Sequence, residues 1–259
     1  MIRQLAWPVL AALVLMPEPA QAQGSTLDVI RERGRVVVGT TGDYRPFSYL
    51  NPTTGELEGL DIDAARELGT ALGVDVDLVA TTWPTLIDGI VEGRFDIAMS
   101  GITRTLERLT RAGLTDAYAT LGKCPLIRAS DRERFRSMEE IDRAGVRIGV
   151  NPGGTNEAFV RSRVTQAEIV VIPQNLAIPD AIVAGDVDVM ITDNVEAMLV
   201  ASERPELQAV SPDAPLTSDT VGYLVRRDDQ AFLNFLNLWL ERRRVSGALA
   251  RLEQRWLRR

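Results

Sequence analysis

Residues 88–100 read DGIVEGRFDIAMS, and residues 180–192 read DAIVAGDVDVMIT. Asp88 aligns with Asp180, Ile90 with Ile182, Val91 with Val183, Gly93 with Gly185, Asp96 with Asp188 and Ser100 with Thr192. Each copy reads as a helix stopped by glycine, a charged turn, and a short apolar strand running into a small hydroxyl residue. A weaker echo accompanies it. Asp28 to Arg33 reads as a helix stopped by Gly34, followed by the strand Arg35 to Gly39 and the turn Thr40 to Asp43. Met138 to Ala144 reads as a helix stopped by Gly145, followed by the strand Val146 to Val150 and the turn Asn151 to Gly154. Alternating short strands and helices imply α/β layers. Meeting the alternation twice in 259 residues, a length for one large domain or two small ones, implies two similar α/β lobes. Chance likeness between two βα units of common composition is the competing explanation, since repeats this short are weak evidence.

Between these units, Asp61 to Leu72 is amphipathic, with Ile62, Ala65, Leu68, Ala71 and Leu72 at helical spacing, and Thr85 to Glu92 is a second helix. Phe232, Phe235, Leu236, Trp239, Leu249, Leu252 and Trp256 mark apolar stripes on the last helices. Arg242, Arg243, Arg244, Arg251, Arg255, Arg258 and Arg259 are expected on solvated faces, where cations also favour a helix C-terminus; a membrane or partner patch is the alternative.

The N-terminus reads as an address. Arg3 lies in a short n-region, Val9 to Met16 is uninterrupted apolar sequence, and Ala20-Gln21-Ala22 is an A-x-A cleavage signal. The apolar run is too short for a bilayer, which takes about 20 residues. Cleavage is expected after Ala22, which makes residues 1–22 a signal peptide and the mature protein periplasmic.

Composition removes several chemistries. The chain has no histidine, so it has no Ser-His-Asp triad, His-ligated metal or histidine base. A single cysteine, Cys124, excludes an internal disulfide and paired-cysteine zinc patterns. With 29 Lys and Arg against 36 Asp and Glu, the net charge of −7 argues against general nucleic-acid binding. No metal and no cofactor is expected, and acid–base work falls to Asp, Glu, Lys, Tyr, Arg, Cys124 or water.

In open α/β sheets, ligands bind beyond the carboxyl ends of the strands. Those ends carry Thr40 to Phe47, Ser100 to Thr103, Asn151 to Glu157 and Thr192-Asp193. Asn151-Pro-Gly-Gly-Thr-Asn-Glu157 is a glycine turn entering a helix, which suits an anion. It is neither a Walker A loop nor G-x-G-x-x-G, so no nucleotide is implied. Ser100 lies outside any G-x-S-x-G elbow. Arg108 suits a carboxylate, which a guanidinium grips with two parallel hydrogen bonds, and Asp193 suits an ammonium. A surface arginine and a helix N-cap are the alternatives for those two. Tyr44, Phe47 and Trp83 offer an aromatic wall to the same cleft, or else core packing.

Gly59-Leu-Asp-Ile-Asp63, Phe95-Asp-Ile-Ala-Met-Ser-Gly101, Glu107-Arg108 and Thr192-Asp193 resemble the polar amino-acid solute-binding family of ABC importers, over residues 26–258. The resemblance implies a two-lobed periplasmic-binding-protein fold, type II-like, with a ligand cleft between the lobes. It puts lobe 1 at 24–121 plus 219–259 and lobe 2 at 122–218, with crossings near Gly122 and Thr220. It also implies that Arg108 holds a ligand carboxylate and Asp193 an amino group. Ser100, Gly101, the backbone of Ile102 or Thr103, and Thr155 complete the recognition.

A narrower resemblance carries a reaction. Thr40-Thr-Gly-Asp-Tyr-Arg-Pro-Phe-Ser-Tyr49, Trp83-Pro84, Lys123 and Asn151-Pro-Gly-Gly-Thr-Asn-Glu157 are similar to the cyclohexadienyl dehydratases, periplasmic enzymes on the same fold. The segment around Cys124 and the stretch Asp180 to Ala184 match less closely. The resemblance implies decarboxylating dehydration of prephenate to phenylpyruvate, or of arogenate to phenylalanine, without a cofactor. Its partner is a small carboxylate substrate, with Asn151 and Asn156 among the binding residues and Lys123 and Glu157 catalytic. Such a reaction needs a proton donor for the leaving hydroxyl, cations for one or two carboxylates, and a dry aromatic wall. Glu157 is the expected donor. A glutamate in the first turn of a helix is stabilised as the anion, so burial in the closed cleft has to raise its pKa; by spacing alone, capping is its simpler role. The alternative to the enzyme is a non-catalytic amino-acid receptor, for which alone an ABC permease is the partner. A receptor ectodomain is a third class.

Overall fold

The computed structural model describes residues 24–257, so the expected leader lies outside the described residues. One sheet runs in the order Asp75–Ala80, Arg35–Thr40, Ile97–Thr103, Asp219–Val225 and Gly113–Leu114, with Ala119–Leu121 also paired to Asp219–Val225. The second runs Glu168–Val171, Arg147–Val150, Val189–Asp193, Lys123–Arg128 and Leu207–Ala209. In both, the first three strands are parallel and the fourth is antiparallel. A small three-stranded sheet, Asp43–Tyr44, Ser48–Leu50 and Leu57–Glu58, lies beside the first.

The sequence echo has a structural cause. Ile97–Thr103 and Val189–Asp193 are the third strands of their sheets, each preceded by a helix, Leu86–Val91 and Ile178–Ala184. Gly93 and Gly185 take φ of +70° and +82° just after those helices, a left-handed region where a side chain strains the backbone. The repeated aspartates do one job twice. The Asp96 carboxylate accepts the Val37 N–H at 2.7 Å, and Asp188 accepts the Arg147 N–H at 2.9 Å, tying each third strand to its parallel neighbour.

Two expected features differ. The helix from Met138 ends at Ile141, because the Asp142 carboxylate turns away to accept the N–H groups of Thr165, Gln166 and Ala167. Arg243 is not on a solvated face. It is buried, pairs with Glu67, and stacks on Trp239 at 4.6 Å from the ring centroid, so its charge is spent inside the lobe.

Lobe 1 packs Ile30, Val38, Leu60, Leu68, Met99, Tyr223, Phe232 and Leu236 into one core. In lobe 2 the sheet separates a cluster around Leu126, Ile182 and Met190 from one around Ile148, Val160 and Ile191. The chain passes directly from Ala119–Leu121 in one sheet to Lys123–Arg128 in the other through Gly122. A Cβ on Gly122 meets the Thr217 carbonyl oxygen at 2.1 Å, so only glycine lets the outgoing and returning segments touch. The Leu216 N–H donates to the Lys123 carbonyl at 2.7 Å, and the Lys123 N–H to Thr217 Oγ1 at 3.0 Å. No helix among the described residues is long and apolar enough to cross a membrane.

Candidate active site

The carboxyl ends of both third strands face one cleft, where Gly101 and Thr103 from lobe 1 oppose Asp193 from lobe 2. Tyr44 and Trp83 wall it on one side, and Asn151, Gly154, Thr155, Asn156 and Asn175 on the other. The lobes are closed: the cleft volume is about 20 Å³, room for roughly a water molecule. Thr103 Oγ1 lies 3.1 Å from Thr155 Oγ1 across it. Elsewhere between the lobes the Arg45 guanidinium makes a two-pronged pair with Glu203 at 2.6 and 2.7 Å.

Strand register builds the polar centre. Asp193 is the residue opposite Lys123 in the antiparallel pair, so their side chains meet. The Lys123 Nζ donates to Asp193 Oδ1 at 2.8 Å, Asn156 Oδ1 at 2.7 Å and Thr155 Oγ1 at 3.1 Å. The second Asp193 oxygen accepts from the Tyr44 hydroxyl, whose pKa burial and the neighbouring Asp193 charge push up, keeping it a donor. Asn156 Nδ2 donates onward to Thr192 Oγ1 at 3.1 Å. Tyr44 stacks on Phe47 and meets Trp83 edge to face.

Arg108 is 8% exposed and has no carboxylate partner among the described residues; its Nη1 donates to the Thr103 carbonyl at 2.6 Å. Burial lowers its pKa to about 10, which still leaves it charged at neutral pH. A buried cation is normally paired with an anion, and here only the Thr103 carbonyl and its neighbours meet it.

Two expectations change, and a third residue gains partners. Phe47 is fully buried in the lobe 1 core, one layer behind Tyr44, and so supports the aromatic wall from inside instead of forming it. Ser100 is also fully buried and turns to Thr41, accepting its N–H at 3.2 Å and meeting its hydroxyl at 2.8 Å, so it shapes the Thr41 turn. Glu157 is engaged by two partners. Its carboxylate accepts the Gly153 N–H at 2.7 Å and Arg161 Nε at 2.9 Å. Burial raises its pKa, but these two partners outweigh burial and hold it below the usual range. Arg161, one helical turn on, pairs with the carboxylate, so in this arrangement Glu157 is held as an anion.

Two residues, Glu196 and Asn175, went unnoticed in the sequence, and a third, Asp43, reads there only as part of a turn. Glu196 is buried one turn after Asp193, hydrogen-bonded to Thr192 Oγ1 and accepting Asn175 Nδ2 at 2.8 Å. Burial, opposed by the Thr192 bond and helped by the charges of Asp193 and Asp43, lifts its pKa to about 8, so it is mostly a neutral acid at pH 7. Asn175 links it to the cleft: the same Nδ2 donates to the Asp43 carbonyl at 3.0 Å, and its Oδ1 is buried without a partner. The Asp43 carboxyl accepts Trp83 Nε1 at 3.0 Å, and burial raises its pKa. The spacing Thr192-Asp193-x-x-Glu196 was the available signal, but an acid in a first turn reads as helix stabilisation. Behind the cleft lining thus lie two cations, Lys123 and Arg108, and a buried acid, Glu196, beside the aromatic wall of Tyr44 and Trp83.

The model of the bacterial extracellular solute-binding proteins, family 3, matches residues 36–259. A cyclohexadienyl dehydratase of Pseudomonas aeruginosa is 43% identical over 249 residues, covering 96% of this chain and 92% of that protein. The crystal structure of an ancestral amino acid-binding protein, described as a precursor of cyclohexadienyl dehydratase, is 32% identical, with a TM-score of 0.85, covering 90% of this chain and 100% of that one. That of an ancestral cyclohexadienyl dehydratase is 46% identical, with a TM-score of 0.58, covering 92% and 99%.

Proposed function

The chain belongs to family 3 of the bacterial extracellular solute-binding proteins, and we propose that it works within that family as an enzyme, a cyclohexadienyl dehydratase. It is a carbon–oxygen lyase that converts prephenate to phenylpyruvate, or arogenate to phenylalanine, in the periplasm after removal of residues 1–22. The likeness to the Pseudomonas aeruginosa cyclohexadienyl dehydratase, 43% identical over 96% of this chain, carries the reading, and we assign the proton to Glu196, buried one turn after Asp193.

Each substrate is a ring diene with a leaving hydroxyl opposite a carboxylate. Arg108 anchors a carboxylate with its unpaired guanidinium, and Lys123 with Asn156 and Thr155 orients the other end. Tyr44 and Trp83 cover the ring. Glu196, one turn after Asp193, gives its proton to the hydroxyl. The C–O bond breaks and water leaves. The bond to the ring carboxylate breaks as well, its electron pair enters the ring, and carbon dioxide departs. Aromatisation drives both changes, and the proton is the one group the protein supplies. General acid assistance of this kind is worth about 10²–10⁴ in rate.

The test is direct: purified mature protein is mixed with prephenate, and phenylpyruvate is followed by absorbance. Turnover that collapses in Glu196→Gln and largely survives in Glu157→Gln supports the reading. Tight binding of an amino acid with no turnover supports the receptor alternative instead.

A further inference from the structure

The helix Asn194–Glu203 begins at the cleft, and three consecutive residues of lobe 1 meet it along its length. Glu196, Leu199 and Glu203 stand three and four residues apart, which aligns them along one side of the helix. Tyr44 donates to Asp193, the residue that precedes its first turn. The Asp43 carbonyl accepts Asn175 Nδ2 at 3.0 Å, and the same Nδ2 donates to Glu196 Oε1 at 2.8 Å. Arg45 reaches the far end, where Nη1 and Nη2 donate to the two Glu203 oxygens at 2.6 and 2.7 Å. Leu199 stands between these contacts and shares an inter-lobe crevice with Arg45, Pro46 and Tyr49. The Arg45 guanidinium is braced by the Tyr49 ring, 4.9 Å from its centroid, on the strand paired with Asp43–Tyr44. Arg45 and Glu203 are both partly exposed, so the pair can part without leaving a charge buried and alone.

Residues 43–45 are continuous backbone, so seating Arg45 on Glu203 also seats Tyr44 on Asp193 and the Asp43 carbonyl on Asn175. Resting on the dehydratase reading of the neighbouring cleft, we infer that Arg45 and Glu203 are positioning residues, a two-pronged latch that holds the small sheet of lobe 1 against this helix of lobe 2 and keeps water from Glu196 while the lobes are closed. Glu196 is faced by Asp193 from the start of its own helix, by Asp43, Tyr44 and Arg45 from lobe 1, and by its hydrogen-bond partners Thr192 and Asn175. Removing Arg45 therefore has two opposed effects on this acid. Loss of a nearby cation raises a carboxyl pKa, whereas entry of water lowers one that burial has raised. A latch works through the second effect, and a mere neighbouring charge through the first.

The experiment measures kcat/KM for prephenate across pH 5–9 in Arg45→Gln, in Glu203→Gln, in the double variant, and in the exchanged pair Arg45→Glu with Glu203→Arg. Small-angle scattering is recorded for each protein without ligand. Each single variant should lose about fivefold in kcat/KM, the upper end for a two-pronged pair near the surface. The double variant should lose no more than either single one, and the exchanged pair should recover part of the loss. The alkaline limb should move to lower pH in both single variants, and both should have a more open average shape than the wild type. Unchanged kcat/KM, additive losses in the double variant, single variants that scatter as the wild type does, or a limb that moves to higher pH in Arg45→Gln overturns the inference. If the wild type consumes no prephenate while the single variants are more open and the exchanged pair is less so, the latch stands and the dehydratase reading is what fails.

Discussion

Glu196→Gln separates the chemistry from the packing. The glutamine keeps the shape and can still bond Asn175 and Thr192, but it has no proton to give. With the wild-type pKa at about 8, the acid is roughly nine-tenths protonated at pH 7. Losing it should lower kcat by about 10²–10⁴, roughly 3–5 kcal/mol of barrier, with KM little changed. Wild-type kcat should be flat below pH 7 and fall about tenfold per pH unit above 8. The same group leaves a mark on stability. Its folded pKa lies above the unfolded value of 4.5, so its contribution is fully present below pH 4.5 and is lost as pH rises through about 8. The interval corresponds to roughly 5 kcal/mol at 1.36 kcal/mol per unit. Thermal melts of the wild type should therefore weaken from pH 5 to 8. Glu196→Gln should flatten that slope, leaving the part due to Asp61, whose buried carboxyl is raised to about 7. Stopped kinetics and melts across pH 5–9 measure both. A variant that keeps more than a tenth of wild-type kcat, or keeps the alkaline limb of the profile, refutes the assignment.

Arg108→Lys should raise KM about tenfold or more with the fold intact by circular dichroism, because an ammonium cannot grip a carboxylate with two parallel bonds. Small-angle scattering should show a more open average shape without ligand than with saturating phenylpyruvate, since the closed cleft of about 20 Å³ admits no substrate; identical profiles would count against a hinge. Gly122→Ala should cost about 2 kcal/mol or more in denaturant unfolding, because its Cβ meets a backbone oxygen at 2.1 Å and the two crossing segments must part.

The two lobes were legible because their signals are local. A glycine that must turn left-handed, an aspartate that ties a strand to its neighbour, and an apolar period are written within a dozen residues, and Gly93, Asp96, Gly185 and Asp188 do these jobs in both copies. Asp193, Tyr44, Trp83 and Thr155 were found in the same way, as residues at strand ends and glycine turns that the topology brings to one cleft. Arg243 escaped this logic, since a basic run is the same in sequence whether it faces water or, as here, stacks on Trp239.

Glu157 and Glu196 mark the boundary most clearly. Both are acids in the first turn of a helix that begins at a strand end, and the one local difference, Arg161 four residues after Glu157, reads as ordinary helix support. By itself the sequence determined the alternation of strands and helices, the absence of histidine chemistry, and the placing of cations and aromatics near one cleft. Only the tertiary structure decided which carboxyl is neutral. Burial sums over every element packed around a group: the desolvation that keeps Glu196 protonated acts through space, whereas the Arg161 that holds Glu157 ionised lies only four residues along the same helix.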